Sequence, residues 1–272
     1  MIDEKVHNEL REKYNPDGSV LRNFQLQLLD NLKYFDAFCK ENGIRYWLSS
    51  GTCLGAIRHG GFIPWDDDID VEMLREDYLK FEKLFKSDEH FVLQTYKNDL
   101  YYTQPFPKLR SRSIIVKEGK GVADHNYKYK GLYMDIFIME SSPRFVATFC
   151  HFLVGSIRHF GYIIKKRNAA TDALYWFIKK AVYGLISVSR LFCVFSNKEI
   201  LRHTLGTGLE RKTRKRELIF PLTTAQFENI EVPVPGNYHG YLKRMFGDYM
   251  KIPESNAFHT HNIANNAMER GE

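Results

Sequence analysis

The feature that most constrains this chain is a cluster of four aspartates within five positions: Asp66, Asp67, Asp68 and Asp70. Alternating apolar residues follow at once, which predicts a β-strand over 68–73 with Asp68 and Asp70 on one face. Two carboxylates about 6–7 Å apart on one strand repel each other unless a positive group lies between them. A divalent cation relieves this repulsion, and Mg²⁺ commonly takes one or two carboxylates together with substrate phosphates. The cluster therefore indicates a site for metal and phosphate.

Two simpler interpretations of the cluster stay open on these residues alone. An acidic run is often a solvated loop without chemistry. A calcium-binding loop would use Asp66, Asp68 and Asp70 as its first three ligands, but Val71 stands where that loop requires Gly. Asp77 stands where it requires a bidentate Glu, so the calcium loop is disfavoured.

A second acidic position favours the metal site. Asp135 interrupts the otherwise apolar run 131–139, which predicts a buried strand. A carboxylate in a buried strand is costly unless it is paired or binds a metal. Asp135 is therefore the natural third carboxylate beside Asp68 and Asp70.

Candidate phosphate ligands lie on two further elements. Gly51 and Thr52 open a predicted helix over 52–59, and a helix N-terminus offers backbone N–H groups and a positive dipole end to a phosphate. Arg58, in the last turn of that helix, either faces the same site or complements the helix dipole. Lys108 begins a strand predicted over 108–117 and is a further candidate, although such a lysine is more often solvent-exposed.

Composition places the chain among folded proteins of a reducing compartment. It has 272 residues, of which 44% are hydrophobic and 14% aromatic, enough for a sizeable core. Its four cysteines are far apart and form no Cys-x-x-Cys pair, so neither a disulfide framework nor a zinc site is indicated. The sequence shows no apolar signal region at its start and no run of eighteen uncharged apolar residues, so we expect a cytoplasmic protein.

The charge is distributed unevenly. Residues 141–220 hold 15 Lys and Arg against 4 Asp and Glu, which leaves the rest of this +6 chain mildly acidic. Basic groups at 165–167, 179–180 and 211–216 alternate with apolar stretches, and 174–195 has the pattern of an amphipathic helix. Two interpretations fit equally: contact with an anionic membrane surface, or a helical cap on the core with a solvated basic face. No nucleic-acid-binding module accompanies the basic residues, so we expect no nucleic-acid partner.

The run from Leu48 to Asp70 strongly resembles the signature of the LicD family, the bacterial phosphocholine transferases and their relatives, including the fukutin-related enzymes. The resemblance continues through 131–139 and through 233–250. It implies a nucleotidyltransferase-like α/β fold (an α+β mixed sheet); the basic, mostly helical insertion is predicted from the charge and apolar pattern of 141–220, which carries no motif of the family. We accordingly predict a catalytic core over 1–140, the insertion over 141–220, and a C-terminal segment, 221–272, that packs back on the core.

The family's functional residues can be placed on matching positions of this sequence. The resemblance implies that Asp68, Asp70 and Asp135 are both the catalytic and the metal-binding residues. Gly51 and Thr52 form the turn that binds phosphate. Selection of choline would need an aromatic cage, and its candidates are equally well explained as core residues: Trp47, Trp65, Tyr101, Tyr102 and Tyr127.

The resemblance implies a phosphotransferase that uses Mg²⁺, with Mn²⁺ as an alternative. The expected donor is CDP-choline or a related CDP-alcohol, and the expected acceptor is a hydroxyl of a cell-surface glycan or its lipid-linked precursor. We expect the enzyme on the inner face of the cytoplasmic membrane. Two other hypotheses stay open: nucleotidyl transfer to a protein or small-molecule hydroxyl, and a non-catalytic, membrane-associated interaction protein.

Overall fold

A mixed sheet of eight strands organises the chain in the computed structural model, which describes residues 1–116, 126–164, 167–208, 213–254 and 267–269. The helices are α1 (Glu4–Tyr14), α2 (Val20–Glu41), α3 (Ser50–His59), α4 (Arg75–Leu84), α5 (Arg144–Ile163), α6 (Ala169–Ser189), α7 (Arg216–Ile219) and α8 (Tyr238–Phe246). The strands are β1 (Trp47–Leu48), β2 (Asp70–Leu74), β3 (Phe91–Gln94), β4 (Lys108–Val116), β5 (Gly131–Glu140), β6 (Ile200–His203), β7 (Arg214–Lys215), β8 (Thr223–Phe227), β9 (Ile230–Val234) and β10 (Ala267–Glu269). A 3₁₀-helix, Arg190–Phe195, follows α6. The predicted mixed α/β fold is confirmed.

The main path through the sheet is β1-β2-β5-β4-β10. β2 and β5 run parallel, whereas the other pairs are antiparallel. β4 begins opposite the middle of β5, and β6 pairs with the end of β5 beyond that point. β8 and β9 form a separate hairpin. The predicted insertion therefore returns to the sheet through β6 and β7, and the predicted three-part division stays a prediction.

The strand predicted over 68–73 is wrong at its start, because β2 begins at Asp70. Its neighbour β1 ends at Leu48, opposite Val71, and the chain then turns into α3. Asp70 consequently donates its backbone N–H to the Thr52 hydroxyl, at 2.9 Å, rather than to a strand. Asp68 lies in the loop just before the strand.

α5 and α6 pack on each other and on a second hydrophobic core outside the sheet. Lys179 anchors α6 to this core, because its ammonium donates to the backbone carbonyls of Asp99, Leu100 and Tyr102 at 2.7–2.9 Å. Within the described ranges, no helix combines the length and the apolar character needed to cross a membrane. Four basic residues of the predicted clusters lie outside the described residues: Lys165, Lys166, Arg211 and Lys212.

Candidate active site

Three charged side chains stand in one row across the centre of the sheet. The register pairs Asp70 of β2 with Asp135 of β5, and Asp135 in turn with Lys108 of β4. Paired residues on adjacent strands project from the same face. The sheet therefore brings together two of the predicted acids and one of the predicted phosphate ligands, although 65 positions separate Asp70 from Asp135 in the sequence.

Lys108 is buried beside Asp135, and its ammonium lies 2.9 Å from the Asp135 Oδ1 and 3.2 Å from the centre of the Tyr133 ring. The pKa of Asp70 lies well above its ordinary value, because the carboxyl is partly desolvated beside the sheet and because Asp68, Asp135 and Asp66 place negative charge around it; Lys108 opposes this shift. The site therefore has more negative charge than its own lysine balances.

The turn that opens α3 approaches this row from the side. Ser49, the residue before the helix, does not cap it with its side chain, and Ser50 adopts a left-handed backbone with φ +46°. The Tyr241 hydroxyl accepts from the Ser50 backbone N–H at 3.3 Å and lies 3.2 Å from the Ser49 hydroxyl. A Cβ at Gly51 would lie 2.9 Å from the Asp66 Oδ2, so the helix N-terminus closely approaches the aspartate cluster at this glycine.

A cleft of about 700 Å³ opens between the aspartates and the C-terminal part of the chain. Its lining includes the predicted residues Gly51, Arg58, Asp68 and Asp70, together with Asp66. Thr52 lies behind this surface and is buried. On the sheet, Asp135 lies next to Asp70, and Lys108 lies next to Asp135. Neither Asp135 nor Lys108 is among the described residues that line the cleft.

Arg58 contributes to the cleft through its backbone partners. It is buried, and its guanidinium donates to the carbonyls of Tyr249 at 2.9 Å and Lys251 at 3.4 Å. Burial lowers the pKa of Arg58 to about 10, so the group stays charged at neutral pH. Arg58 thereby fixes the segment that forms the opposite wall, and its predicted contact with phosphate stays a prediction.

Comparison with known proteins bears on the identity of this site. Residues 43–152 match the family described as LicD/FKTN/FKRP, nucleotidyltransferase domain. The chain is 28% identical to the lipopolysaccharide cholinephosphotransferase LicD of Haemophilus influenzae over 276 aligned positions, which cover 90% of this chain and 96% of that protein. Residues 43–152 of the chain therefore carry a LicD-family domain. The predicted resemblance is confirmed, and so is the prediction of a LicD-type phosphotransferase enzyme.

Two other relatives share shorter segments with this chain. The human ribitol 5-phosphate transferase FKRP is 42% identical over 57 residues, 21% of this chain and 12% of that protein. Mannosyltransferase regulator 4 of Saccharomyces cerevisiae is 40% identical over 117 residues, 42% of this chain and 10% of that protein.

Sequence reasoning assigned no role to several residues that line the cleft. Phe246, Asp248, Tyr249 and Lys251 form its C-terminal wall. The resemblance over 233–250 was the signal that could have found most of them, because that match extends past the last helix.

The aromatic candidates for a choline cage are mostly elsewhere. Trp65 lines the cleft. Trp47 instead donates its indole N–H to Glu72 at 2.9 Å, and Tyr101, Tyr102 and Tyr127 belong to the second core. For those four, the interpretation as core residues is the correct one.

The donor set of this site suits a hard divalent cation. Asp68, Asp70 and Asp135 offer carboxylate oxygens, which Mg²⁺ and Mn²⁺ prefer, and their mutual repulsion is what such a cation would relieve. Within the described residues, however, no group of three His, Cys, Asp or Glu side chains is already gathered into a metal cage. Asp135 is held by Lys108, so the third carboxylate has a lysine partner in this arrangement.

Proposed function

We propose that this LicD-family phosphotransferase moves phosphocholine, or a related phospho-alcohol, from a CDP-activated donor to a hydroxyl of a cell-surface glycan or its lipid-linked precursor. The observation that carries the proposal is the acidic row of Asp70 and Asp135 beside a cleft that the α3 N-terminus also reaches. Two relatives, a cholinephosphotransferase and a ribitol 5-phosphate transferase, support this class of chemistry.

In this proposal Asp68, Asp70 and Asp135 hold Mg²⁺, with Mn²⁺ as an alternative. When bound, the cation supplies charge neutralisation at the donor diphosphate. The backbone amides at Gly51 and Thr52 orient phosphate oxygens that are not transferred. The aspartates and these amides together keep the donor in line with the acceptor.

The transfer itself exchanges one P–O bond for another. The acceptor oxygen bonds to the phosphorus of phosphocholine, the bond to the bridging oxygen breaks, and CMP leaves with that oxygen. The Asp135 carboxylate takes the acceptor's proton, and Lys108, 2.9 Å from it, orients that carboxylate.

The aromatic content of the cleft supports choline as the transferred alcohol. Trp65, Phe246 and Tyr249 line it, and Asp248 and Glu254 add carboxylates to the same wall. A quaternary ammonium is attracted to aromatic faces and to nearby negative charge. This combination favours a cationic alcohol over a neutral one.

A thermal-shift panel tests the proposed function. We expect CDP-choline with Mg²⁺ to raise the Tm of the protein, because a ligand that binds only the folded state stabilises it, and we expect Asp68→Asn to abolish the shift. Stabilisation by ATP or UTP alone would favour nucleotidyl transfer instead. No response to any nucleotide would contradict a CDP-activated donor.

Phe246→Ala is expected to raise the KM for CDP-choline about five- to thirty-fold. The reason is that the variant loses one cation–π contact with choline, which contributes about 1–2 kcal/mol of binding free energy. The KM for a neutral donor such as CDP-ribitol should change much less. Phe246 is 43% exposed, so the substitution should leave stability nearly unchanged. Leu84→Ala, at a side chain of similar exposure on α4, is the control. Equal increases in KM for both donors would show that Phe246 does not select choline.

A further inference from the structure

The helical layer of this protein has an apolar outer face. Among the described residues, 21 large hydrophobic side chains are exposed, and 13 of these lie between positions 145 and 195. Soluble monomers rarely expose contiguous apolar patches of more than a few hundred Å². We call the exposed side of α5, α6 and the following 3₁₀-helix the apolar face.

The exposed residues follow helical spacing, so each helix contributes one continuous stripe. On α5 the stripe contains Phe145, Phe149 and Phe152, which are four and three positions apart. On α6 it begins at Leu174 and Phe177. It ends on the 3₁₀-helix at Phe195, whose exposure of 82% is the highest of the face.

The two stripes point away from the protein on the same side. The opposite faces of α5 and α6 bury their residues in the same second core, to which Val154 and Ile157 contribute from α5 and Tyr183 and Ile186 from α6. Since both helices pack inward on one core and against each other, their outer faces form one layer. The inner residues already hold the layer in place, so folding does not account for the apolar outer face.

We propose that the apolar face docks on the surface of a membrane that contains anionic phospholipid. Residues 144–198 contain nine Lys and Arg but a single acid, Asp172, which is already bound by Tyr101 and Arg167. Arg144 and Lys180 are exposed beside the aromatic stripes, and the Lys180 ammonium lies 5.6 Å from the centre of the Trp176 ring. Apolar side chains flanked by cations are the pattern of helices that lie in a membrane interface.

The charge of this face argues against a second copy of the chain as its occupant. A symmetric dimer would place the same basic residues of both copies around one interface, where like charges cost free energy. An anionic lipid surface instead attracts the exposed residues among them, such as Arg144 and Lys180. Charge therefore selects the membrane over the dimer.

The position of the apolar face fits the proposed function. The docking itself does not depend on that function; only its biological purpose rests on it. β5 runs from Asp135 directly to Glu140, just before α5, and five strand residues span about 17 Å. Docking by the apolar face would hold the site near the membrane, within reach of a sugar attached to a lipid.

Vesicle co-sedimentation of the full chain tests the proposal. We expect binding to vesicles of equal parts phosphatidylcholine and phosphatidylglycerol, and binding about ten-fold weaker or less to phosphatidylcholine alone. The variant Phe177→Ser/Phe195→Ser should lose at least about ten-fold of the partition coefficient. Val20→Ser, at a side chain that is 66% exposed on α2, should bind like the wild type.

Two results would overturn the proposal: wild-type protein that stays in solution with anionic vesicles, or a double variant that binds as the wild type does. A wild-type dimer that the double variant dissociates, without vesicle binding, would assign the face to a second copy. Because these measurements use no nucleotide, they are independent of the thermal-shift test. A negative vesicle experiment therefore does not contradict the proposed transferase, and a negative thermal-shift experiment does not contradict the docking surface.

Discussion

Asp70→Asn is expected to lower kcat by about 10³-fold, or ~4 kcal/mol of transition-state stabilisation. The reason is its place in the site: Asp70 stands beside Asp135 on the sheet and lines the cleft, so it has direct access to both the predicted metal and the donor. An amide keeps the shape of the side chain but removes the charge that attracts a divalent cation. Initial rates of CMP release from CDP-choline at saturating Mg²⁺ measure the effect.

A second readout separates chemistry from folding in this variant. The Asp70 carboxylate lies among Asp68, Asp135 and Asp66, so its removal relieves repulsion, and the Tm of the metal-free protein should not fall. The stabilisation that Mg²⁺ gives the wild type should disappear. Asp30→Asn, which removes the same charge from an exposed position on α2, should leave both quantities unchanged. Wild-type turnover in Asp70→Asn would remove Asp70 from the metal site.

Arg214→Ala is expected to destabilise the protein by about 3–5 kcal/mol, the effect of removing one partner of a buried ion pair. Glu72 is fully buried on β2, and Arg214 donates to it at 3.1 Å. Burial acts to raise the pKa of Glu72, but Arg214 and then His203 outweigh burial and hold it below its ordinary value. Without Arg214 the carboxylate would be buried with little compensation. Urea unfolding at neutral pH measures the loss.

The pH dependence of this destabilisation gives a further check. In the wild type the lowered pKa of Glu72 contributes stability above the pKa of the unfolded state, and that stability is lost only as the pH falls through the folded-state value. In Arg214→Ala the folded pKa should instead be raised, so protonation of Glu72 should relieve the variant as the pH falls. The difference in unfolding free energy between wild type and variant should therefore shrink from pH 8 to pH 5.

A neighbouring residue provides the control for this variant. Lys215 is half-exposed and pairs with Glu217 on the surface, so Lys215→Ala should cost less than about 1 kcal/mol. Adding Glu72→Gln to Arg214→Ala should recover part of the stability, because it removes the uncompensated charge. If Arg214→Ala lowers the unfolding free energy as little as Lys215→Ala does, then Arg214 does not stabilise the protein by neutralising Glu72 on β2.

Much of the local structure follows from the sequence because it depends on short-range pattern. The single acid in an apolar run correctly marked β5, and a small-residue turn marked α3 to within two residues. The start of β2 could not be predicted from such a pattern, because Asp68 continues the alternation of polar and apolar residues that a strand would show. β1, the neighbour of β2, ends too early to pair with Asp68. Where a neighbouring strand ends depends on the arrangement of the sheet and not on the local sequence.

The choice among aromatic residues shows the same limit. Trp47 and Trp65 are both buried, and nothing in their local sequence separates them. Trp47 donates a hydrogen bond to Glu72. Trp65 instead lines the cleft, together with Phe246 and Tyr249 from the C-terminal part of the chain. A cleft is assembled from segments that are distant in sequence, so its lining depends on packing.

The sequence by itself determined the resemblance to the LicD family, the α/β class, the acidic residues proposed for catalysis and the excess of positive charge over 141–220, because each is carried by residue identity and short spacing. Only the tertiary structure decided that Lys108 lies against Asp135, that Glu72 is neutralised by Arg214 from 142 positions away, and that the hydrophobic residues of α5 and α6 divide into a buried and an exposed set. The physical reason is that these contacts depend on strand register and on which faces pack. Register and packing are set by the sum of many distant interactions rather than by any one stretch of chain.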